Sequence, residues 1–157
     1  MTAATPRKDP YAVFRPVVGA WVARVMAVAC VLVFGAVAVF SPMPIGSDPS
    51  VLLLNRIAIA LLGVVGALFL WRYARIRAVP SPSGLRVVNL FTTRDLEWAE
   101  ILRVGYSGGA PWAVLELTDT EELALMAIQR SDGQRAEQDA SRLAALVEHH
   151  HRGVADR

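Results

Sequence analysis

Gly105-Tyr106-Ser107-Gly108-Gly109 reads G-x-S-x-G, the pattern that lifts a nucleophilic serine onto a sharp strand-to-helix turn above a parallel sheet. Such a serine needs a histidine base within reach. The histidines of this chain, His149, His150 and His151, stand together near its end. The motif lies between two runs that read as antiparallel strands, in a chain of 157 residues, too short for that fold. A hairpin turn is therefore expected there. The histidines are the residue type that ligates metal, but consecutive side chains on a helix point in different directions. A solvated helix end is expected instead, where cationic histidine suits the dipole. Glu97 and Glu100 are the types of an acid–base pair, yet at a strand-turn edge solvated charges are the expectation. No cysteine pair, P-loop or H-E-x-x-H pattern occurs. No catalytic, cofactor-binding or metal-binding residue is assigned, no cofactor is implied, and enzymatic activity is not expected.

The elements that position these residues divide sharply by composition. Hydrophobic residues make up 54% of the chain, too many for an ordinary soluble domain. The excess lies in two blocks, 25–40 and 51–71. A spanning helix needs about 20 mostly apolar residues, and the blocks predict spans at about 22–41 and 51–71. Trp21 and Arg24 mark the start of the first, and Ser41-Pro42-Met43-Pro44 ends it. Trp71 and Tyr73 form an aromatic belt at the end of the second, with Arg72, Arg75 and Arg77 directly after. The short Pro-, Gly- and Ser-containing loop between them forces an antiparallel hairpin. A cleaved signal peptide ending near Ala36-Val37-Ala38 is disfavoured by the long polar lead-in.

Charge sets the expected orientation. Up to Val79 eight basic residues, Arg7 and Lys8 among them, accompany only Asp9 and Asp48. From Pro80 onward eight arginines meet twelve acids, so the C-terminal part is acidic although the whole chain carries +2. The inter-helix loop holds no Lys or Arg. The positive-inside rule then places both termini in the cytoplasm of a multi-pass plasma-membrane protein, and the basic charge is an orientation signal, not a nucleic-acid footprint. Arg56, within the second span, either pairs with Asp48 or snorkels to the outer interface; the latter is expected. Cys30 is expected to be a small buried hydrophobe. Small residues four apart, Ala23/Ala27 and Gly63/Ala67, let helices approach closely, to pack the hairpin on itself or to form a homo-oligomer face.

Beyond Arg75 the period changes to that of short strands separated by turns. Strands are predicted at 75–79, 85–91, 95–98, 101–106, 112–117 and 121–126, with 80–84 as a turn. Leu102, Val104 and Tyr106 are expected to share one face, and Ala113, Leu115 and Leu117 another. Ser131-Asp132-Gly133-Gln134 fits a capping box, and Ala136, Ala140, Leu143, Ala144 and Val147 follow at helical spacing. A helix is predicted over 132–150, with Gly153 as its stop. Trp98, Trp112, Leu115 and Leu143 are the expected large core members. The organisation is a 1–20 cytoplasmic tail, a 21–74 transmembrane hairpin, a 75–151 domain and a 152–157 tail. The fold class is a two-helix transmembrane hairpin followed by a small α+β domain, a curved antiparallel sheet with a C-terminal helix.

Two apolar spans, a basic exit, Gly84-Leu85-Arg86-Val87-Val88-Asn89, Leu96-Glu97-Trp98-Ala99-Glu100-Ile101, Pro111-Trp112-Ala113-Val114-Leu115-Glu116-Leu117 and Met126-Ala127-Ile128-Gln129 together resemble small actinobacterial membrane proteins. These carry the PH-like domain of the low-molecular-weight protein antigen 6 type. The resemblance covers about 72–147 and implies a PH-like fold without catalytic residues. Asp119-Thr120-Glu121 departs from it, where a glycine-containing turn is expected. A membrane-anchored, non-enzymatic interaction module follows as the expected function, docking a protein partner through a sheet edge or the groove beside the helix. Tyr106 and Trp112 are the candidate partner surface. The alternatives are anionic headgroup binding through Arg72, Arg75, Arg77, Arg86 and Arg94, or an accessory role in a membrane complex. The bilayer and a protein are the implied partners, and nucleic acid is not.

Overall fold

The computed structural model describes residues 9–42 and 48–155, with side chains up to Gly153. Arg7 and Lys8 of the basic flank, residues 43–47 of the inter-helix loop and the last two residues of the tail lie outside them. The chain forms α1 (Val18–Phe40), α2 (Pro49–Tyr73), β1 (Arg77–Ser81), β2 (Gly84–Val88), β3 (Thr93–Glu97), β4 (Ile101–Gly105), β5 (Trp112–Leu117), β6 (Glu122–Gln129) and α3 (Gln134–Ala155). Short 3-10 turns occupy Trp98–Glu100 and Arg130–Asp132. These elements form two compact units, one of Gly19–Arg75, the other joining the described parts of Met1–Val18 and Ile76–Arg157.

The helical unit is a hairpin built on small residues. Ala20, Ala23, Ala27, Ala38 and Gly63 are its buried positions. A Cβ on Gly63 would stand 2.6 Å from the Cβ of Phe34, so only glycine allows this approach. The Cys30 thiol donates to the Gly63 carbonyl at 3.5 Å. The large apolar side chains of both helices, Leu32, Leu54 and Leu68 among them, point outward and are exposed. Both helices are long and apolar enough to cross a membrane. Pro49 opens α2, where its missing N–H costs nothing. Asp48 caps it, accepting from the Ser50 amide at 2.8 Å and the Ser50 hydroxyl at 2.6 Å, and these bonds hold its carboxyl below the usual range. The Arg56 guanidinium reaches toward the loop end of the hairpin and donates to the Ser41 carbonyl at 3.1 Å, satisfying an orphan acceptor past the end of α1.

The second unit has two antiparallel three-stranded sheets, ordered β1-β2-β3 and β4-β5-β6. Leu85, Val87 and Leu96 from the first meet Ile101, Leu115, Leu125 and Ile128 from the second, all buried. The amphipathic α3 closes this core with Ala136, Leu143, Leu146 and Val147. Each such leucine contributes roughly 1.5–3 kcal/mol by burial. Trp98, Leu115 and Leu143 are core members as expected, whereas Trp112 is half-buried. Asn89 ties the sheets together. Its side-chain amide donates to the Ala124 carbonyl at 2.6 Å and its oxygen accepts from the Met126 amide at 3.2 Å, so one side chain serves the outer edge of β6 as a strand would.

Several boundaries differ from the sequence expectation. Pro80 and Ser81 belong to β1, and the turn is Pro82-Ser83 alone, because Trp98 fixes the strand end by donating its indole N–H to the Ser81 carbonyl at 2.9 Å. β2 stops at Val88 because Asn89 turns toward β6. A register shift between Ile101 and Arg103 puts Ile101 in the core and leaves Leu102 exposed, so the expected Leu102–Tyr106 face does not form as an inner face. Ser131 is not a helix cap. Arg130–Asp132 coil into a 3-10 turn, Gly133 takes φ 58°, and α3 starts at Gln134. Gly153 does not stop the helix, which reaches Ala155, and Ala144 faces solvent rather than the core stripe.

Candidate interaction surfaces

The first hairpin carries Arg77 and Arg86, two of the residues expected to meet an anionic headgroup. Here β1 and β2 join through Pro82-Ser83, and a cleft of about 340 Å³ lies against β3. Ser81, Ser83 and Arg86 line it, together with Asp95 and Glu97. Arg86 and Asp95 are cross-strand partners and form an ion pair at 3.3 Å. Arg94 pairs with Glu121 at 2.8 Å, which holds its guanidinium above its ordinary pKa. Arg77 is exposed at the start of β1. Arg72 and Arg75 belong to the end of the helical unit and are exposed. The five arginines thus fall in two units, and Arg86 and Arg94 are matched to acids.

Tyr106 and Trp112 flank the β4–β5 connection, where Gly108 and Gly109 supply the positive φ angles of the turn. The G-x-S-x-G segment is therefore a hairpin connection, as expected. Arg130 stacks over the Tyr106 ring at 4.5 Å and donates to the Ala110 carbonyl at 3.0 Å, so the loop is held by the end of β6. Burial raises the Tyr106 phenol above its ordinary pKa, and the Arg130 charge partly opposes this. Both aromatics are half-buried, which leaves part of each ring accessible.

The groove beside α3 is occupied by the chain itself. Phe14 and Ala78 exchange both backbone hydrogen bonds, at 2.9 and 3.0 Å, so residues before α1 add an antiparallel bridge to β1. Phe14 is 1% exposed, and the Arg142 guanidinium covers its ring at 3.9 Å. The Asp132 carboxylate accepts from the Val17 and Val18 amides at 3.0 and 2.9 Å, one oxygen to each. Sequence reasoning gave these residues no role: one aromatic among polar neighbours carries no period.

His150 and His151 correct the solvated-end expectation. His150 stacks on Trp98 with ring centroids 4.6 Å apart, donates Nδ1–H to the Leu146 carbonyl at 2.8 Å, and meets the Tyr11 hydroxyl at 3.3 Å. His151 donates Nε2–H to the Trp98 carbonyl at 3.0 Å. Only His149 is exposed. Glu100 accepts from the Glu97 amide at 2.7 Å, which closes the 3-10 turn; both glutamates are exposed. Among the described residues no group of three His, Cys, Asp or Glu side chains is placed to hold a metal ion.

Residues 75–145 match the family model described as bacterial PH domain. Uncharacterised proteins of Mycobacterium bovis and Mycobacterium tuberculosis are 38% identical over 82 residues, which is 52% of this chain. The chain spans about half the length of these curated relatives, 53%. No solved structure matches it.

Proposed function

From the bacterial PH domain at residues 75–145, a module of generally non-catalytic kind, we propose that this chain is a membrane-anchored interaction module that docks a protein partner at the inner face of the plasma membrane. Two long helices whose large apolar side chains face outward support the anchor, since a soluble core helix would bury them. Arg72 in the last turn of α2 and Arg75 and Arg77 after it, with no basic residue in the 41–50 loop, support the cytoplasmic side.

One observation favours protein over lipid: carboxylates occupy the first-hairpin cleft. An exposed pair such as Arg86–Asp95 contributes only about 0–1 kcal/mol, so the pairing alone would not keep Arg86 from a phosphate. Asp95 and Glu97 are the obstacle, because they line the same cleft and repel an anion. A partner with its own polar and apolar groups meets no such penalty. The half-exposed rings of Tyr106 and Trp112 offer the kind of anchor that interfaces favour.

The test uses the full chain in nanodiscs of neutral or anionic lipid. Amide exchange of residues 84–97 should be the same in both, and a photo-crosslinker at Trp112 should capture a protein in cells. Salt-sensitive protection by anionic lipid, lost in Arg86→Ala and Arg94→Ala, would replace the protein reading with the headgroup reading.

A further inference from the structure

The bridge at Phe14, the Asp132 carboxylate and the His150 contact all act on one short stretch, and that stretch precedes the helical pair. We propose that residues 11–18 are a clasp that completes the PH-like domain from the other side of the helical insertion, so that the β1 edge and the start of α1 are held, and released, together.

The sequence leaves two problems that this contact solves. The first is the edge of β1. Its N–H and C=O groups face outward in the first sheet, where β1 is terminal. Phe14 covers that edge at Ala78, the second residue of the strand and 0% exposed, and its ring enters the core beneath Arg142. Pro16 is also fully buried. The second problem is the start of α1. Residues Pro16-Val17-Val18-Gly19 supply no Ser, Thr, Asp or Asn cap. The cap comes from Asp132, more than a hundred residues away, which satisfies two orphan amides with two separate oxygens. Tyr11, bonded to His150 of α3, anchors the other end.

Both problems are solved within one compact unit, since the described residues before Gly19 cluster with those after Arg75. The domain is thus discontinuous in sequence, with Gly19–Arg75 inserted between its first edge and the rest. Because only Arg15 and Pro16 separate the bridge from the capped amides, a strap that leaves β1 also draws Val17 and Val18 from Asp132.

The experiment is residue-resolved hydrogen exchange on the full chain in detergent micelles. The amide of Ala78 reports the bridge, the amides of Val17 and Val18 report the cap, and the amide of Leu115 in central β5 reports the core. In Phe14→Ala the exchange of Ala78, Val17 and Val18 should rise together, by about tenfold or more, with Leu115 changed less than about twofold. Faster exchange at Ala78 with Val17 and Val18 unchanged would overturn the clasp. Should Phe14→Ala unfold the domain and accelerate Leu115 equally, Asp132→Asn decides. Asparagine keeps the shape and one acceptor oxygen, so one of the two amides loses its partner. Ala78 should then exchange faster along with Val17 and Val18; wild-type exchange at Ala78 beside a loosened cap would overturn the proposal.

Discussion

At the scale of single residues, three positions in the domain are set by backbone geometry and hydrogen bonding rather than by side-chain bulk. Gly84 opens β2, and a Cβ there would collide with the Leu96 carbonyl across the ladder. Gly84→Ala should cost about 1–3 kcal/mol, read as a lowered thermal midpoint in micelles. Asn89 serves two backbone groups of β6, and Asn89→Ala would strand both; a loss of about 1–3 kcal/mol is expected by the same measurement. Thr120 takes φ 67°, a left-handed conformation that a β-branched residue adopts at a cost of order 1–3 kcal/mol. It sits where the resemblance predicts a glycine, so Thr120→Gly should stabilise the domain by about 1 kcal/mol. Tyr106 gives a pH test. Its phenol is raised above 10.0, so the folded chain keeps the proton in a range where the unfolded chain loses it. Its contribution is level below about pH 10 and falls as the pH rises further. An ultraviolet titration should find one of the three tyrosines with a midpoint above the ordinary value.

At the scale of elements, most of the fold was legible because it rests on period. Short β-rich runs between turn residues mark the strands, α3 carries an apolar stripe, and a family resemblance named their arrangement. Where the reading missed, the deciding contact was non-local. β1 runs to Ser81 because an indole from Trp98 reaches it, and α3 begins at Gln134 because Gly133 breaks the preceding turn. Leu102 faces out because of a bulge that no alternation reveals. His150 is engaged because Trp98 and Tyr11 arrive from distant segments. Of the candidate site residues, sequence supplied the arginines but not the acids opposite Arg86 and Arg94, since cross-strand register is not written in spacing. In the helical unit the small-residue reading held at Ala23, Ala27 and Gly63. Gly63→Leu should separate α1 from α2, seen as loss of a disulfide or chemical cross-link engineered between them.

At the scale of the whole molecule, the discontinuous domain has a consequence for its biogenesis. A nascent chain makes Phe14 first and its partner strand only after all of Gly19–Arg75 has emerged. The strap must wait, unpaired, until both apolar helices have been made. Phe14 can meet Ala78 only once the helical segment has brought the chain back to the strap, so completion of the domain waits on the helical pair. A chain whose helices fail to pair would keep Phe14 exposed and its β1 edge bare, the two features that quality-control proteases and aggregation both act on.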